Sequence, residues 1–209
     1  MKKAHIIAAI AACLAIFYFL PVSIPYKICL TVGVLAIGSI GSLPWLMVLA
    51  FVFSCTGDAM GAAHSFPLQM LSFMLAHISM IIFFCSRLKG KKVITDTRSI
   101  GTLLVLICII ALSFTKIVPN APEGFIRIGV GTYSVLLSLM CWTAALQNNK
   151  IVATGAFLFL VSDLILAWNK FTSPIPYAHI VLMIPYYAGQ IGLFLGVNQI
   201  TNTSCESRE

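Results

Sequence analysis

The chain has 209 residues, of which 60% are hydrophobic and only 9% are charged, and its formal net charge is +7. A soluble domain carries roughly 25% charged residues, so the polar residues here are too few to coat a water-soluble globule. We therefore expect a polytopic membrane protein with one helical domain over residues 1–201 and a short polar tail at 202–209, which we expect to be disordered.

The apolar runs predict an all-α bundle of about eight transmembrane helices. Isolated strands cannot cross hydrocarbon with unpaired backbone groups, so runs of roughly 17–25 apolar residues indicate helices. The predicted spans cover about residues 5–20, 26–40, 43–62, 66–87, 99–118, 124–146, 150–171 and 176–201. The first run also resembles a signal peptide, but no convincing cleavage site follows it before Pro21, and we favour a retained helix.

The basic residues indicate orientation in the membrane rather than a nucleic-acid surface. They lie in the gaps between apolar runs, without the basic stripe and interleaved aromatics of a nucleic-acid face. With the amino terminus inside, only Lys27, Lys116, Arg127 and Lys170 of the 13 basic residues lie at outer ends. The positive-inside rule then predicts that both termini are cytoplasmic, most simply in a bacterial inner membrane. We expect membrane lipids, and no nucleic acid, as partners; the sequence does not specify an oligomeric state.

Asp58 and Asp163 are the candidate catalytic residues. The chain has six acidic residues, and these two lie within the third and seventh apolar spans. An ionisable group at membrane depth costs roughly 2.5–3.5 kcal/mol, so such residues are usually functional, although a structural hydrogen bond between helices is the alternative. Both lie toward the outer end of their span, so we expect the carboxyls to share a cavity. There one can stay protonated while the other ionises, as general acid catalysis requires.

Other polar side chains are candidates for binding a substrate. The histidine is otherwise explained as an interhelical donor, the tyrosines as interfacial anchors and the cations as side chains that reach to the head groups. If functional, the three cations would clamp a phosphate above the site. The candidates are His77, Tyr133, Tyr187 and Gln190 within the spans, with Tyr186 beside them, and Lys27, Arg127 and Lys170 at the outer boundary.

Familiar soluble-enzyme motifs do not occur in the sequence. It has no GxSxG elbow for a nucleophilic serine and no glycine-rich phosphate loop. A zinc site built from histidines and an aspartate stays an alternative, although no HExxH motif supports it. We expect no metal and no cofactor.

The acidic spans carry a family resemblance. The pattern Gly155-Ala156-x-x-Phe159-x-x-Ser162-Asp163-x-x-Leu166-Ala167-x-x-x-Phe171 resembles the signature of the lysoplasmalogenase (YhhN-like) membrane family. The segment Phe53-Ser54-x-x-Gly57-Asp58 is similar to its earlier acidic motif, and Ala76-His77, Tyr133 with Met140, and Tyr186-Tyr187-x-x-Gln190 follow in order. The chain departs from the pattern at Gly61, Met80 and Pro185, where leucine, tyrosine and a hydroxyl residue are usual.

The resemblance implies a hydrolase that acts on lysophospholipids. The expected reaction cleaves the vinyl ether bond of a lysoplasmalogen to a fatty aldehyde and a glycerophospho-head group. Protonation of the far vinyl carbon gives an oxocarbenium ion that water captures, and two carboxyls suit this chemistry by analogy with glycosidases. The alternatives are a hydrolase of another lysolipid and a small transporter whose aspartates carry protons.

Overall fold

The computed structural model describes residues 2–88 and 97–206, and all regular secondary structure in these residues is helical. A π-helical turn (Ser113–Ile117) and a 3₁₀ turn (Val118–Asn120) extend the fifth helix. The helices are α1 (Lys2–Tyr18), α2 (Cys29–Ser39), α3 (Trp45–Ala62), α4 (Phe66–Ser86), α5 (Thr97–Leu112), α6 (Phe125–Ala145), α7 (Lys150–Phe171) and α8 (Ala178–Glu206).

Six of the described helical segments are long and apolar enough to cross a membrane, so the predicted count of eight is not confirmed. They cover α3, α4, residues 99–120, α6, α7 and residues 178–203 of α8. The first helix has 17 residues and α2 only 11, and 11 residues rise about 16 Å, roughly half of a hydrocarbon core. Large apolar side chains face outward, including Trp45 at 67% and Ile128 at 71% exposure, as lipid contact allows.

Local sequence explains several helix boundaries. Pro44 directly precedes α3, and Pro67 lies in the first turn of α4, where the missing N–H of proline costs no hydrogen bond. Asn149 caps α7, because its side-chain oxygen accepts from the N–H groups of Ile151 and Val152 at 2.9 and 3.0 Å. Gly124 directly precedes α6 and has φ +84°, a conformation that favours glycine.

The longest helix continues beyond its predicted end. Residues 202–206, expected to be disordered, are helical, while residues 207–209 lie outside the described chain. Polar side chains bond along the helix here: Thr201 donates to the Val197 carbonyl at 2.7 Å and Asn202 to the Asn198 side chain at 3.0 Å. These bonds pair the side chains of Thr201 and Asn202 within the helix, so neither residue ends it at the predicted boundary.

Glycines bring α7 and α8 into backbone contact. A Cβ atom at Gly155 would lie 2.7 Å from the Leu193 nitrogen, and one at Gly189 would lie 2.8 Å from the Phe159 nitrogen. Small residues are the usual means of close helix packing in membranes, where apolar burial between helices gives little driving force. This contact fixes α7, which carries Asp163, against α8, which carries Tyr186 and Gln190.

The two ends of the bundle differ in their basic residues. At the Arg87 end, Arg87 donates to the Ile200 carbonyl at 2.8 Å and Gln147 to the Phe84 carbonyl at 3.1 Å. At the opposite end, here called the Lys170 end, Thr172 donates to the Lys116 carbonyl at 3.2 Å. Lys27, Lys116, Arg127 and Lys170 thus lie at one end and Arg87 and Lys150 at the other, the grouping used to predict orientation. Lys89, Lys91 and Lys92 lie outside the described residues.

Candidate active site

Asp163 lies in a hydrogen-bonded cluster at the meeting of α4, α6 and α7. Its side chain is only 6% exposed, and the Tyr133 hydroxyl donates to its Oδ2 atom. His77 Nε2 lies 3.1 Å from the Tyr133 oxygen and 3.6 Å from Asp163 Oδ2. Because the Tyr133 proton is directed to Asp163, His77 Nε2 is the donor toward the Tyr133 oxygen. These contacts join three of the residues that the sequence singled out.

The Asp163 cluster forms part of the wall of an apolar cavity. This cavity has a volume of about 50 Å³ and lies between α4, α6, α7 and the end of α5. Asp163 is the one carboxyl among its described lining residues. The other polar residues of the wall are Gln69, Ser113, Tyr133, Ser134 and Ser138.

The π-helical turn shapes one side of this cavity. Ser113 and Ile117, its first and last residues, are both buried and both line the cavity. A π turn inserts an extra residue into a helix and is frequent at functional sites. The turn was not predicted, because its residues, Ser113-Phe-Thr-Lys-Ile117, lie within the predicted fifth span and carry no signal that distinguishes a π turn from an α-helix.

Asp58 occupies a second polar cluster, between α3 and α8. Its side chain is 2% exposed, and Tyr186 donates to its Oδ1 atom at 2.8 Å. Gln190, one turn along α8, donates through Nε2 to the Tyr186 oxygen at 3.4 Å. Asp58 is not one of the residues that line the cavity, so the two carboxyls do not share it as we expected.

Phe73 of α4 separates the two clusters. Its ring lines the cavity and packs edge-on to the Tyr186 ring, with centroids 6.1 Å apart. The ring fits because residue 57 is glycine: a Cβ there would lie 2.7 Å from it. Phe159 completes the partition, with its centroid 5.0 Å from the His77 ring and 5.5 Å from the Tyr186 ring. Hydrophobic side chains thus lie between Asp58 and the cavity.

Several buried polar atoms in the Asp58 cluster have no hydrogen-bonding partner among the described residues. They are Asp58 Oδ2, Ser54 Oγ and Gln190 Oε1. Each such atom costs about 1–3 kcal/mol if it stays unpaired. The described hydrogen bonds of the cluster therefore all involve the Tyr186 hydroxyl.

Tyr187 does not reach the cavity. Its hydroxyl donates to the Ile28 carbonyl at 3.0 Å, and its ring packs against that of Tyr18 with centroids 5.6 Å apart. Of the neighbouring tyrosines, it is Tyr186 that contacts an aspartate. The spacing of Tyr186 and Gln190, four residues apart on one helix face, is the sequence signal for this pair.

The three cations do not converge on one point. Lys27 donates to the Leu20 and Val22 carbonyls at 2.8 and 2.9 Å, beside α1. Lys170 lies 4.5 Å from the centroid of the Phe66 ring, a ring that lines the cavity. Of the described contacts of these cations, that of Lys170 is the one to a cavity-lining residue.

Arg127 stabilises the loop before α6. It donates to the Ala121 carbonyl at 3.1 Å and the Pro119 carbonyl at 3.2 Å, and it pairs with Glu123 at 3.4 Å. Its guanidinium therefore closes the turn after α5. Lys27 and Arg127 thus make their described contacts away from the cavity wall, so the three cations do not form the expected clamp.

The geometry of a metal site is also missing from the described part of the chain. No three His, Cys, Asp or Glu side chains there come together in a way that could hold an ion. His64 is exposed after α3, and His179 lies near Lys27, away from Asp163.

Comparison with known proteins places the chain in a family. Over 174 residues it is 30% identical to bovine lysoplasmalogenase TMEM86A, a match that covers 77% of this chain and 65% of the bovine one. It is 36% identical to human lysoplasmalogenase TMEM86B over 89 residues, 43% of this chain and 39% of the human one. No solved structure matches it. The profile of the YhhN family matches residues 17–197, and the chain belongs to that family.

Proposed function

We propose that this protein is an intramembrane hydrolase that cleaves the vinyl ether bond of lysoplasmalogens, with Asp163 as its acid. One observation carries the proposal: the side chain of Asp163 lies in the wall of an apolar cavity, oriented by Tyr133. An apolar cavity suits the hydrocarbon chain of a lipid, and a buried carboxyl suits the proton transfer. Relatives named lysoplasmalogenase support this function over proton-coupled transport.

The reaction requires one proton donor that later becomes a base. Protonated Asp163 gives its proton to the vinyl carbon farther from the ether oxygen, and a new C–H bond forms as the double bond becomes an oxocarbenium ion. The Asp163 carboxylate left behind stabilises this cation. It then accepts a proton from the water that adds to the carbon next to oxygen. In the hemiacetal that results, the bond from carbon to the glycerol oxygen breaks and the hemiacetal hydroxyl proton passes to that oxygen, which gives a fatty aldehyde and the free glycerol hydroxyl of the head group.

Tyr133 and His77 position the acid. The Tyr133 hydroxyl fixes the Asp163 Oδ2 atom, and His77 fixes Tyr133 from the side of α4. Oxygen Oδ2 is thereby occupied, so Oδ1 is the atom that delivers the proton. A carboxyl held by packed helices keeps this geometry without cost at the moment of reaction.

Lys170 sets the orientation in which the lipid substrate binds. It follows Asp163 by seven residues, two turns of α7, which is a rise of about 10 Å on nearly the same helix face. In a lysoplasmalogen the phosphate lies across the three-carbon glycerol backbone from the vinyl ether, a comparable reach. We place the phosphate at Lys170, the vinyl ether at Asp163 and the hydrocarbon chain deeper, toward Leu160 and Leu137.

The proposal is tested with Asp163→Asn. Purified variant and wild type are given lysoplasmalogen in nanodiscs, and aldehyde release is measured. Loss of a general acid lowers the rate about 10²–10⁴-fold, so we expect activity near background with unchanged folding. The matched control is Glu123→Gln, which makes the same carboxyl-to-amide change at an exposed residue and retains full activity. A folded Asp163→Asn variant within tenfold of wild type would refute the assignment.

The substrate class is tested in the same assay. A lysophospholipid with an ordinary acyl chain lacks the vinyl carbon that accepts the proton, so we expect no product from it. Equal turnover of both lipids would assign the site to general lysophospholipid hydrolysis instead.

A further inference from the structure

The Asp58 cluster, defined as Ser54, Asp58, Tyr186 and Gln190, has the composition of a small polar binding site. Ser54 and Asp58 are four residues apart on α3, so they occupy adjacent turns of one face. Tyr186 bridges from Asp58 Oδ1 to Gln190 Nε2. The free atoms of the cluster are then one hydroxyl, Ser54 Oγ, and two acceptors, Asp58 Oδ2 and Gln190 Oε1.

These free atoms match the hydrogen-bonding capacity of one water molecule. A water donates twice and accepts, and a buried water typically makes about three hydrogen bonds to polar groups that are otherwise unpaired. Here it would donate to Asp58 Oδ2 and Gln190 Oε1 and accept from Ser54. All three side chains are at least nine-tenths buried, so bulk solvent does not satisfy them.

We propose that Ser54, Asp58 and Gln190 bind a water molecule that supplies the nucleophile for hydrolysis in the neighbouring cavity. This inference rests on the proposed function. The cavity wall around Asp163 is largely apolar and holds water poorly, yet each turnover consumes one water. The Asp58 cluster stores it on the far side of Phe73, whose ring contacts both compartments. Movement of that ring admits the water to the oxocarbenium ion, and the water's proton passes to Asp163.

The different roles of Asp163, which donates the proton, and Asp58, which binds water, explain why the two side chains are separated. A water held against the vinyl ether before protonation would compete with the lipid for Asp163. A store behind Phe73 keeps the acid in contact with its substrate and keeps the nucleophile close by. Asp58 is thus a positioning residue for water, and Asp163 is the catalytic acid.

The test uses deuterium exchange, which reports how fast water captures the oxocarbenium ion relative to its return to substrate. The reaction is run in D₂O to partial conversion, and deuterium at the vinyl carbon of recovered lysoplasmalogen is measured by mass spectrometry. In the wild type, capture by the stored water is fast, so little deuterium returns to substrate. In Ser54→Ala and Gln190→Met the cation instead loses hydrogen from that carbon to Asp163. We expect at least a fivefold rise in deuterium per aldehyde formed.

Ser79→Ala is the matched control for the serine variant. This serine is also buried, but its hydroxyl donates to the Leu75 carbonyl of its own helix at 2.9 Å, so its exchange ratio stays at the wild-type value. A general loss of stability lowers turnover without raising deuterium per aldehyde. An unchanged ratio in both Ser54→Ala and Gln190→Met would overturn the proposal.

An experimental map of the wild type decides the binding site independently of activity. We expect density within hydrogen-bonding distance of Ser54 Oγ, Asp58 Oδ2 and Gln190 Oε1. Absence of density there, or an ion with five or six oxygen ligands, would overturn the water site. A wild type that binds this water but releases no aldehyde would instead refute the proposed function.

Discussion

Tyr133 is the residue whose hydroxyl links the other two members of the Asp163 cluster. It donates to Asp163 and lies 3.1 Å from His77 Nε2, so removal of one oxygen breaks two contacts at once. Sequence reasoning found all three residues, because each is polar within an apolar span. It could not assign their partners, because the pairing depends on how α4, α6 and α7 are rotated.

Tyr133→Phe is expected to lower the turnover of lysoplasmalogen by about 10- to 100-fold. Asp163 becomes charged as it gives up its proton, and a hydrogen bond to a charged group contributes roughly 1.5–3 kcal/mol, so the variant loses this stabilisation in the transition state. The measurement is kcat in nanodiscs, with Tyr177→Phe, at a 75% exposed tyrosine, as the control at wild-type rate. Wild-type kcat in Tyr133→Phe would show that Asp163 needs no support from this hydroxyl.

Lys170→Met tests the direction in which the lipid binds. Loss of one exposed charge opposite a phosphate is worth about 1 kcal/mol, so KM should rise about fivefold with little change in kcat. Lys150→Met removes the same charge from the other end of α7 and should leave KM unchanged. If both variants behave alike, the head group lies elsewhere.

At the scale of the helix, the apolar runs and the residues that interrupt them predicted most of the helix boundaries. Helix α7 has its predicted bounds, and α3, α4 and α6 agree within two residues. Two segments differ from the prediction: α2 has only 11 residues, and the end of α5 becomes a π turn. Phe73 and its role as a partition were not predicted, because an aromatic residue in an apolar helix carries no signal of which compartments it divides.

Gly189→Ala tests the contact between α7 and α8. The new methyl group would meet backbone atoms at 2.8 and 2.9 Å, and backbone cannot rotate away as a side chain can. Overpacking of this kind costs about 1–3 kcal/mol, so the thermal midpoint should fall by several degrees. Gly101→Ala on α5, where no described atom lies within 4 Å, is the control. An unchanged midpoint in Gly189→Ala would show that the helices separate without cost.

At the scale of the whole molecule, the cavity with Asp163 in its wall extends toward the Lys170 end of the bundle. Phe66 and Phe171, which border that end of the cavity, pack with ring centroids 5.5 Å apart. The charge distribution that predicts cytoplasmic termini also predicts that this end faces away from the cytoplasm.

A cysteine at residue 173 tests this orientation. In a cysteine-free background, Ser173→Cys follows α7 at the Lys170 end and should react with a membrane-impermeant maleimide in intact cells. Glu206→Cys, at the end of α8, should react only after the membrane is opened. The reverse pattern would invert the predicted topology.

The position of α5 at the edge of the bundle has a consequence for the two products. This helix packs against α6 and turns Leu104, Val105 and Ile107 outward, so only one layer of protein separates the cavity from the surrounding bilayer on that side. Under the proposed function, a long-chain aldehyde, which is nearly insoluble in water, would leave sideways through this single layer into hydrocarbon. The glycerophospho-head group, which cannot dissolve in hydrocarbon, would leave past Lys170 into the aqueous phase. The two products would then leave by different routes, and neither would obstruct the exit of the other.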